Sequence, residues 1–136
     1  MKEKLYFLLS IFAVAIVMGG CCFFHFPAYK ADLVNGYAVW AVDVMKDASV
    51  VHKHKSGSSA TTVVPHTVFA YGWNDDFILA KRHPEKKDRK VDISVTYWYI
   101  IEVTSGDVHG PLNQDEFRKL RTKLKVSEEI SFKTIQ

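Results

Sequence analysis

The sequence has little cysteine, since its 136 residues include two cysteines and these are the neighbours Cys21 and Cys22. Adjacent cysteines do not easily bridge each other within one domain, so a disulfide framework is excluded. An excess of charge is also lacking, because 18 Lys and Arg residues balance 15 Asp and Glu residues to a formal net charge of +3. The two signs are interleaved along the chain, which argues against a nucleic acid partner.

Recognisable catalytic motifs are lacking as well. The serines of Gly57-Ser58-Ser59 do not lie in the G-x-S-x-G elbow of hydrolases. No D-x-D-x-D-G calcium loop follows Asp75 and Asp76, and a turn explains both residues. The sequence therefore predicts neither an enzyme nor a cofactor.

The longest hydrophobic run lies near the start of the chain, where residues 5–24 carry no charge. Lys2 and Lys4 precede an apolar stretch, residues 5–18, that only Ser10 interrupts. This arrangement is typical of a secretory signal, whose apolar region is roughly 7 to 15 residues long. Two alternatives stay open: an uncleaved signal anchor, because residues 5–24 are long enough to span a bilayer of about 30 Å, and simple secretion after cleavage.

The residues that follow, Val17-Met18-Gly19-Gly20-Cys21, resemble the lipobox of bacterial lipoproteins, although Met18 stands where those proteins most often have Leu. The resemblance implies that Cys21 carries diacylglycerol on its thiol and becomes an acylated amino terminus after cleavage. We expect residues 1–20 to be a lipoprotein signal peptide, residues 21–34 a lipidated tether and residues 35–136 a single β-rich domain.

This organisation predicts a cell-membrane protein that is held by lipid on Cys21 and faces away from the cytoplasm. In a cell with two membranes, the resemblance to lipoproteins implies the outer membrane, because Cys22 rather than Asp follows the lipidated residue. The partners expected from the sequence are the membrane itself and an envelope protein.

Alternating hydrophobic residues predict five strands, at residues 37–45, 49–55, 63–73, 77–82 and 93–103. The short link between the first two predicts an antiparallel hairpin. Residues 93–103 contain the longest alternation, which indicates a central strand. Residues 56–62 and 84–92 are expected to be polar loops.

A helix is predicted after Gly110-Pro111, which is expected to turn the chain. Asn113 and Glu116 form a capping box, and Leu112 and Phe117 form a hydrophobic staple. An apolar face for packing on the sheet is made by Phe117, Leu120 and Leu124. The prediction is an α+β fold: an antiparallel β-meander of about five strands with one C-terminal helix packed on the sheet. Residues 126–136 are expected to contact the core or form an edge through Ile130 and Phe132.

Several blocks together are similar to a family of small bacterial lipoproteins of unknown function. They occur in the family's order over residues 35–126: Asn-Gly-Tyr at 35–37, Tyr-Gly-Trp-Asn-Asp-Asp-Phe-Ile-Leu-Ala-Lys at 71–81, Tyr-Trp-Tyr-Ile-Ile-Glu at 97–102, and Gly-Pro-Leu at 110–112 with Phe117. The resemblance implies an envelope location and a small β-rich domain, and it implies no catalytic residue.

Histidines give the best argument for a metal site and do not complete one. His52 and His54 alternate on a predicted strand, so both rings can point to one face. A third ligand would have to come from His66 or His83, and zinc sites need three or four ligands. We predict no specific metal site.

Two function hypotheses follow from the sequence. The first is a membrane-anchored, non-enzymatic binding or interaction module. The alternative is a small-ligand carrier or an enzyme that uses a concave aromatic face, with His109 or Glu102 as its polar group. That face would be lined by Tyr37, Trp40, Tyr71, Trp73, Trp98 and Tyr99.

Overall fold

The computed structural model describes residues 27–57 and 59–136, so the predicted signal peptide, residues 21–26 of the predicted tether with Cys21 and Cys22, and Ser58 lie outside the described residues. The first of two antiparallel sheets is a four-stranded meander in chain order. Its strands are β1 (Tyr29–Asp32), β2 (Tyr37–Ala41), β3 (Ser49–Lys53) and β4 (Ala60–Val64).

The second sheet contains five strands in the order β8-β7-β6-β5-β9. They are β5 (Val68–Trp73), β6 (Phe77–Arg82), β7 (Tyr97–Glu102), β8 (Val108–Leu112) and β9 (Lys133–Thr134), and helix α1 (Gln114–Lys123) follows β8. The predicted α+β class is confirmed. The second sheet with α1 matches the predicted meander and helix, and the first sheet is an additional meander.

The two sheets pack face to face, and the second sheet is covered on its other face as well. Ile78 and Ile101 of the second sheet lie in one buried cluster with Val39 and Val50 of the first. The intervening residues of β6 and β7 belong to a second cluster with α1 and the C-terminal segment, formed by Leu79, Ile100, Phe117, Val126 and Ile130. Successive side chains of β6 and β7 therefore point alternately into two hydrophobic layers.

Helix α1 begins as the sequence predicts. The Asn113 side chain accepts a hydrogen bond from the Glu116 amide, and the Glu116 carboxylate accepts one from the Asn113 amide. This capping box satisfies two backbone donors that the first turn leaves without helical partners. Phe117 is buried against the second sheet. Within residues 27–57 and 59–136, no helix has the length and apolar character required to cross a bilayer.

The strand predicted at residues 63–73 is two strands in different sheets, β4 and β5. Pro65 interrupts the run because it has no amide hydrogen for a ladder, and Thr67 adopts a left-handed conformation with φ of 76°. Part of the loop predicted at residues 56–62 is consequently β4, which pairs with β3. The prediction missed the change of sheet and also a register shift between Val68 and Ala70, which places Val68 and Tyr71 in the same buried cluster.

The predicted boundary between tether and domain at residue 35 is too late. β1 pairs along its whole length with β2, from Tyr29 opposite Ala41 to Asp32 opposite Ala38. Its side chains alternate between half-buried and exposed, as in a strand with one covered face. The alternation was not recognised in the sequence because β1 is only four residues long and contains a lysine.

Three predicted strands are shorter than the sequence pattern indicated, and the one at residues 49–55 ends at Lys53. β2 ends at Ala41, and a 3-10 turn at Met45–Asp47 precedes β3, although the predicted antiparallel pairing is confirmed. β7 begins at Tyr97 and lies between β6 and β8, whereas the sequence predicted the central strand of the sheet, a position that β6 occupies. Apolar residues at 42, 44, 93 and 95 belong to connections and are exposed.

The predicted turn at Gly110-Pro111 is instead part of strand β8. Proline is compatible with this strand because β8 lies at the edge of the sheet, where a residue whose backbone nitrogen faces away from the neighbouring strand does not need to donate a hydrogen bond. A Cβ atom on Gly110 would lie 2.4 Å from a ring carbon of Tyr99, so glycine allows the strand to pass close to this ring.

Candidate functional site

Glu102 and His109, the polar residues of the alternative hypothesis, form a direct pair. His109 Nε2 lies 2.8 Å from Glu102 Oε1, and each side chain is about a third exposed at 31% and 30%. The antiparallel pairing of β7 with β8 brings them together. His109 lies opposite Ile100, and Glu102 lies two residues further along β7, on the same face of the sheet as Ile100. The carboxylate can orient the imidazole, an arrangement used in acid–base sites. Neither residue lines the two cavities described next.

The six aromatic residues proposed for a concave face do not share a surface. Tyr37, Tyr71 and Tyr99 are buried between the sheets, and Trp73 packs at the border of that core. Burial raises the pKa of the Tyr71 hydroxyl, as does the hydrogen bond of 2.6 Å between this group and the Tyr29 hydroxyl. Trp98 lies on the opposite face of the second sheet, and Trp40 has Lys30 over its ring. Most of these rings therefore stabilise the fold.

A different aromatic cluster lines a cavity between α1 and the second sheet, here called the helix–sheet cavity. Its volume is about 370 Å³. Trp98 lies 4.7 Å from Phe117 and 5.6 Å from Phe132 between ring centroids, and these three rings form the apolar lining. Arg118, Arg121, Gln114, Thr122 and Glu128 supply polar groups at the same cavity. The cavity therefore combines three aromatic rings with five polar side chains, a lining that suits an amphiphilic small molecule.

Arg121 is held in place at this cavity by the segment that follows α1. Its Nη2 atom donates a hydrogen bond of 2.6 Å to the Ser127 carbonyl and lies 3.6 Å from the Glu128 carboxylate. The side chain is 13% exposed, so the cation is largely withdrawn from water. Arg121 therefore fixes the C-terminal segment against the helix as well as lining the cavity.

Lys81 adds a cation behind the aromatic cluster. Its Nζ atom lies 4.1 Å from the centroid of Trp98 and 4.0 Å from that of Phe132, within the range of cation–π attraction. Burial lowers the pKa of the Lys81 ammonium. The sequence analysis missed Lys81, Arg118 and Arg121. The spacing of four between Phe117 and Arg121 was the available signal, because it places both on one side of the helix.

A second concavity, here called the apolar groove, lies where the start of β5 meets the loops before β3 and β7. Its volume is about 400 Å³, and its lining includes Met45, Phe69, His83, Ile93 and Ile135. The Phe69 and His83 rings stack with centroids 4.2 Å apart. His83 Nδ1 lies 2.8 Å from the Val95 carbonyl, which accepts its hydrogen bond. The groove is mostly apolar, so it fits contact with an apolar partner.

The four histidines considered for a metal site make separate contacts. His52 Nε2 lies 3.2 Å from the Asn35 carbonyl, and His54 Nε2 lies 2.9 Å from the Thr61 hydroxyl. His66 lies 3.1 Å from Glu85, and His83 stacks in the apolar groove. In the described ranges, no group of three or more His, Cys, Asp or Glu residues is arranged to hold a metal ion. The predicted lack of a metal site stays a prediction.

The turn before β6 accounts for the aspartates considered for calcium. Asn74 Oδ1 accepts hydrogen bonds from the amides of Asp76 and Phe77, which closes an Asx-type turn. Asp75 and Asp76 are both exposed at this turn. Ser59 is also exposed, in the loop before β4.

Comparisons with known proteins identify a family and give no activity. No curated protein and no solved structure matches the chain. A family model described as "Protein of unknown function (DUF3997)" matches residues 34–136, which include all of β2–β9 and α1. The matched region also covers all the sequence blocks within residues 35–126 on which the resemblance to an uncharacterised family was based. The chain belongs to this uncharacterised family, DUF3997.

Proposed function

We propose that the protein is an envelope lipoprotein, anchored in the membrane through lipid on Cys21, that acts as a non-enzymatic binding module. The lipobox-like residues before Cys21 support the anchor. Residues 22–28 separate this cysteine from β1, and seven extended residues span at most about 25 Å. Lipid on Cys21 would therefore hold the two sheets close to the bilayer surface.

The helix–sheet cavity is the observation that carries the binding role. Its aromatic lining favours an apolar or aromatic body, and Arg118 offers a cation that is 68% exposed at its edge. A ligand with an acceptor group, such as a carboxylate, can bind this guanidinium, whose Nη1 atom also lies 4.0 Å from the Asp115 carboxylate. The class we propose is a small amphiphile of this kind.

The Glu102–His109 pair supports a second candidate, the small-ligand carrier or enzyme considered from the sequence. The hydrogen-bonding distance of 2.8 Å between the two side chains is the observation in its favour. The pair lies at the β7–β8 edge of the second sheet. A ligand bound there would contact different residues from a ligand in the helix–sheet cavity, so the two candidates can be separated experimentally.

Metabolic labelling tests the anchor. Cells that express the parent chain and Cys21→Ser are fed labelled palmitate, with Cys22→Ser as the matched control. We expect label on the parent and on Cys22→Ser, and none on Cys21→Ser. Label that persists in Cys21→Ser would overturn the anchor, and fractionation of a two-membrane host would test the predicted outer-membrane location.

A fragment screen by ligand-observed NMR tests the binding site, with the lipidated chain in nanodiscs and aryl carboxylates as probes. Thr122→Trp places a large ring at the helix–sheet cavity and should abolish binding. Lys123→Trp, on the next and exposed position of α1, is the control and should bind as the parent does. Binding that survives Thr122→Trp and disappears in Glu102→Gln or His109→Ala would favour the second candidate.

A further inference from the structure

Four large apolar side chains are exposed at one end of the molecule. Val42 is 61% exposed, Val44 42%, Met45 44% and Ile93 78%. The first three lie in the loop between β2 and β3, and Ile93 lies in the loop before β7. Met45 and Ile93 line the same apolar groove, so the two loops meet there. We call these four residues the apolar rim.

The chain enters the first sheet directly beside this rim. The Ala28 amide donates a hydrogen bond of 3.2 Å to the Val42 carbonyl, and β1 then runs antiparallel to β2 with Tyr29 opposite Ala41. The residues that precede Ala28 therefore connect to the domain at the same end as Val42. A tether attached here brings the apolar rim, rather than the far end of the sheets, next to whatever holds the tether.

The charges around the rim do not select an anionic surface. The loop between β2 and β3, here called the rim loop, contains Lys46 together with Asp43 and Asp47. The neighbouring loop, residues 84–92, has four basic and three acidic side chains, with ion pairs from Lys86 to Asp92 and from Lys90 to Asp88. Contact by this end would depend on apolar burial, which monovalent salt does not screen as it screens pairs of charges.

We propose that the apolar rim is a lipid-contacting face, which lies on the acyl–headgroup boundary of the bilayer that holds Cys21. The inference rests on the lipid anchor proposed above. It adds an orientation: the end with Val42 and Ile93 faces the membrane, and the Asn74–Asp76 turn faces away, because β5 runs from the rim end to that turn. The Val68 amide, at the start of β5, donates to the Ala48 carbonyl just after the rim loop.

Depth-dependent quenching tests this orientation in the full lipidated chain. In a Cys22→Ser background, Val44→Cys and Ile93→Cys are labelled with an environment-sensitive fluorophore and reconstituted into phosphatidylcholine vesicles. Lys55→Cys and Asp75→Cys are matched controls, since both positions are exposed. Lys55 follows β3 and Asp75 follows β5, so both lie beyond the strand ends that are farther from the apolar rim. Quenching is measured with doxyl-labelled lipid in the bilayer and with iodide in the water.

We expect doxyl lipid to quench labels at positions 44 and 93 at least threefold more strongly than labels at 55 and 75, and iodide to show the reverse order. Adding phosphatidylglycerol or salt should leave the pattern unchanged. Equal doxyl quenching at all four positions would overturn the proposal. So would iodide protection at 44 and 93 without doxyl quenching, the result expected if a second copy or residues 23–26 covered the rim.

A palmitate-labelling control separates this inference from the proposed function. If the chain carries no lipid on Cys21, the anchor itself fails. If Cys21 is lipidated and the rim is not quenched from the bilayer, only the orientation fails. The variant Val44→Asp with Ile93→Asp should keep its lipid and its membrane attachment while protease accessibility of residues 42–47 increases severalfold in vesicles; unchanged accessibility would contradict the proposal.

Discussion

The edge strand β1 of the first sheet and the interior strand β7 of the second differ in how many of their faces are covered. In the first sheet, Tyr29 and Ala31 of β1 pack inward and the intervening Lys30 and Asp32 are exposed. In the second sheet, Tyr99, Ile100 and Ile101 are consecutive and all buried, because α1 and the C-terminal segment cover the face that the first sheet leaves open. The comparison shows that a strand between two layers can be hydrophobic at every position, whereas a strand with one covered face keeps its period of two.

The covered outer face of the second sheet predicts that Phe117→Ala has the largest effect. Phe117 is buried and contacts both Trp98 and Phe132, so truncation should lower the free energy of unfolding by about 3–5 kcal/mol. Denaturant titration followed by tryptophan fluorescence measures this change. Lys87→Ala, on the exposed loop before β7, is the control and should change stability by less than about 0.5 kcal/mol. An unchanged midpoint for Phe117→Ala would contradict the two-faced burial.

Gly72→Ala tests the close approach of the C-terminal segment to β5. A Cβ atom at Gly72 would lie 2.3 Å from the Ser131 carbonyl oxygen, a backbone atom that cannot move alone. We expect a destabilisation of about 1–3 kcal/mol, typical of an overpacked site. Hydrogen exchange should show faster exchange in residues 126–135 than in the parent. Parent-like stability and exchange would mean that this segment does not lie on the sheet.

Asn113→Ala removes the cap of the helix that covers the second sheet. Loss of the side-chain acceptor leaves the Glu116 amide without its partner, so the expected cost is about 0.5–2 kcal/mol. Thermal unfolding by circular dichroism measures the cost, and Gln114→Ala, which keeps the cap, is the control. A cost that is equal in both variants would show that the capping box does not stabilise α1.

Asp32→Asn probes the exposed face of the first sheet, where a smaller effect is expected. Lys53 Nζ lies 2.8 Å from Asp32 Oδ1, and its hydrogen bond lowers the pKa of this carboxyl. Stability from such a group is present above the unfolded pKa of about 3.9 and is lost as the pH falls through the folded pKa. Because the pair is solvated, we expect about 0.2–1 kcal/mol at neutral pH. The difference between parent and variant should shrink towards about pH 2; a constant difference would contradict the assignment.

Zinc should have the smallest effect, since we predict no specific site at His52 and His54. Their rings contact a carbonyl and a hydroxyl separately, and lysines at 53 and 55 repel a cation. Calorimetric titration at neutral pH should show only weak binding. An isotherm with one-to-one stoichiometry and affinity tighter than about micromolar, lost in the double variant His52→Ala and His54→Ala, would contradict this prediction.

Local signals explain which parts of the fold could be predicted. The capping box of Asn113 and Glu116 and the turn at Asn74 involve neighbouring residues, so α1 and the limits of β6 follow from the sequence. The passage from β4 to β5 could not be assigned, because alternation along 63–73 does not say which sheet a residue joins. Thr67 adopts its left-handed backbone where the chain crosses between sheets.

The candidate binding site is harder to predict because its parts are distant in sequence. Trp98 comes from β7, Phe117 and Arg118 from α1, and Phe132 from the segment before β9. The sequence pattern assigns each residue to its own helix or strand as an ordinary apolar or charged position, and it does not indicate that these residues meet. Only the packing of α1 and the C-terminal segment on one face of the second sheet creates the cavity. Glu102 and His109 were chosen separately from the sequence, and antiparallel pairing brings them together.

The C-terminal segment also determines when the outer face of the second sheet can be fully buried during folding. Ile130, Phe132 and strand β9 follow in the chain every strand that they cover or pair with. A nascent or translocating chain that has delivered β5, β6 and β7 presents Leu79 and Ile100 to water, and their cover is complete only when this segment joins α1 on the sheet. Burial of that surface is therefore a late event, so a chain interrupted before Val126 would carry the exposed apolar surface that chaperones and quality-control proteases recognise.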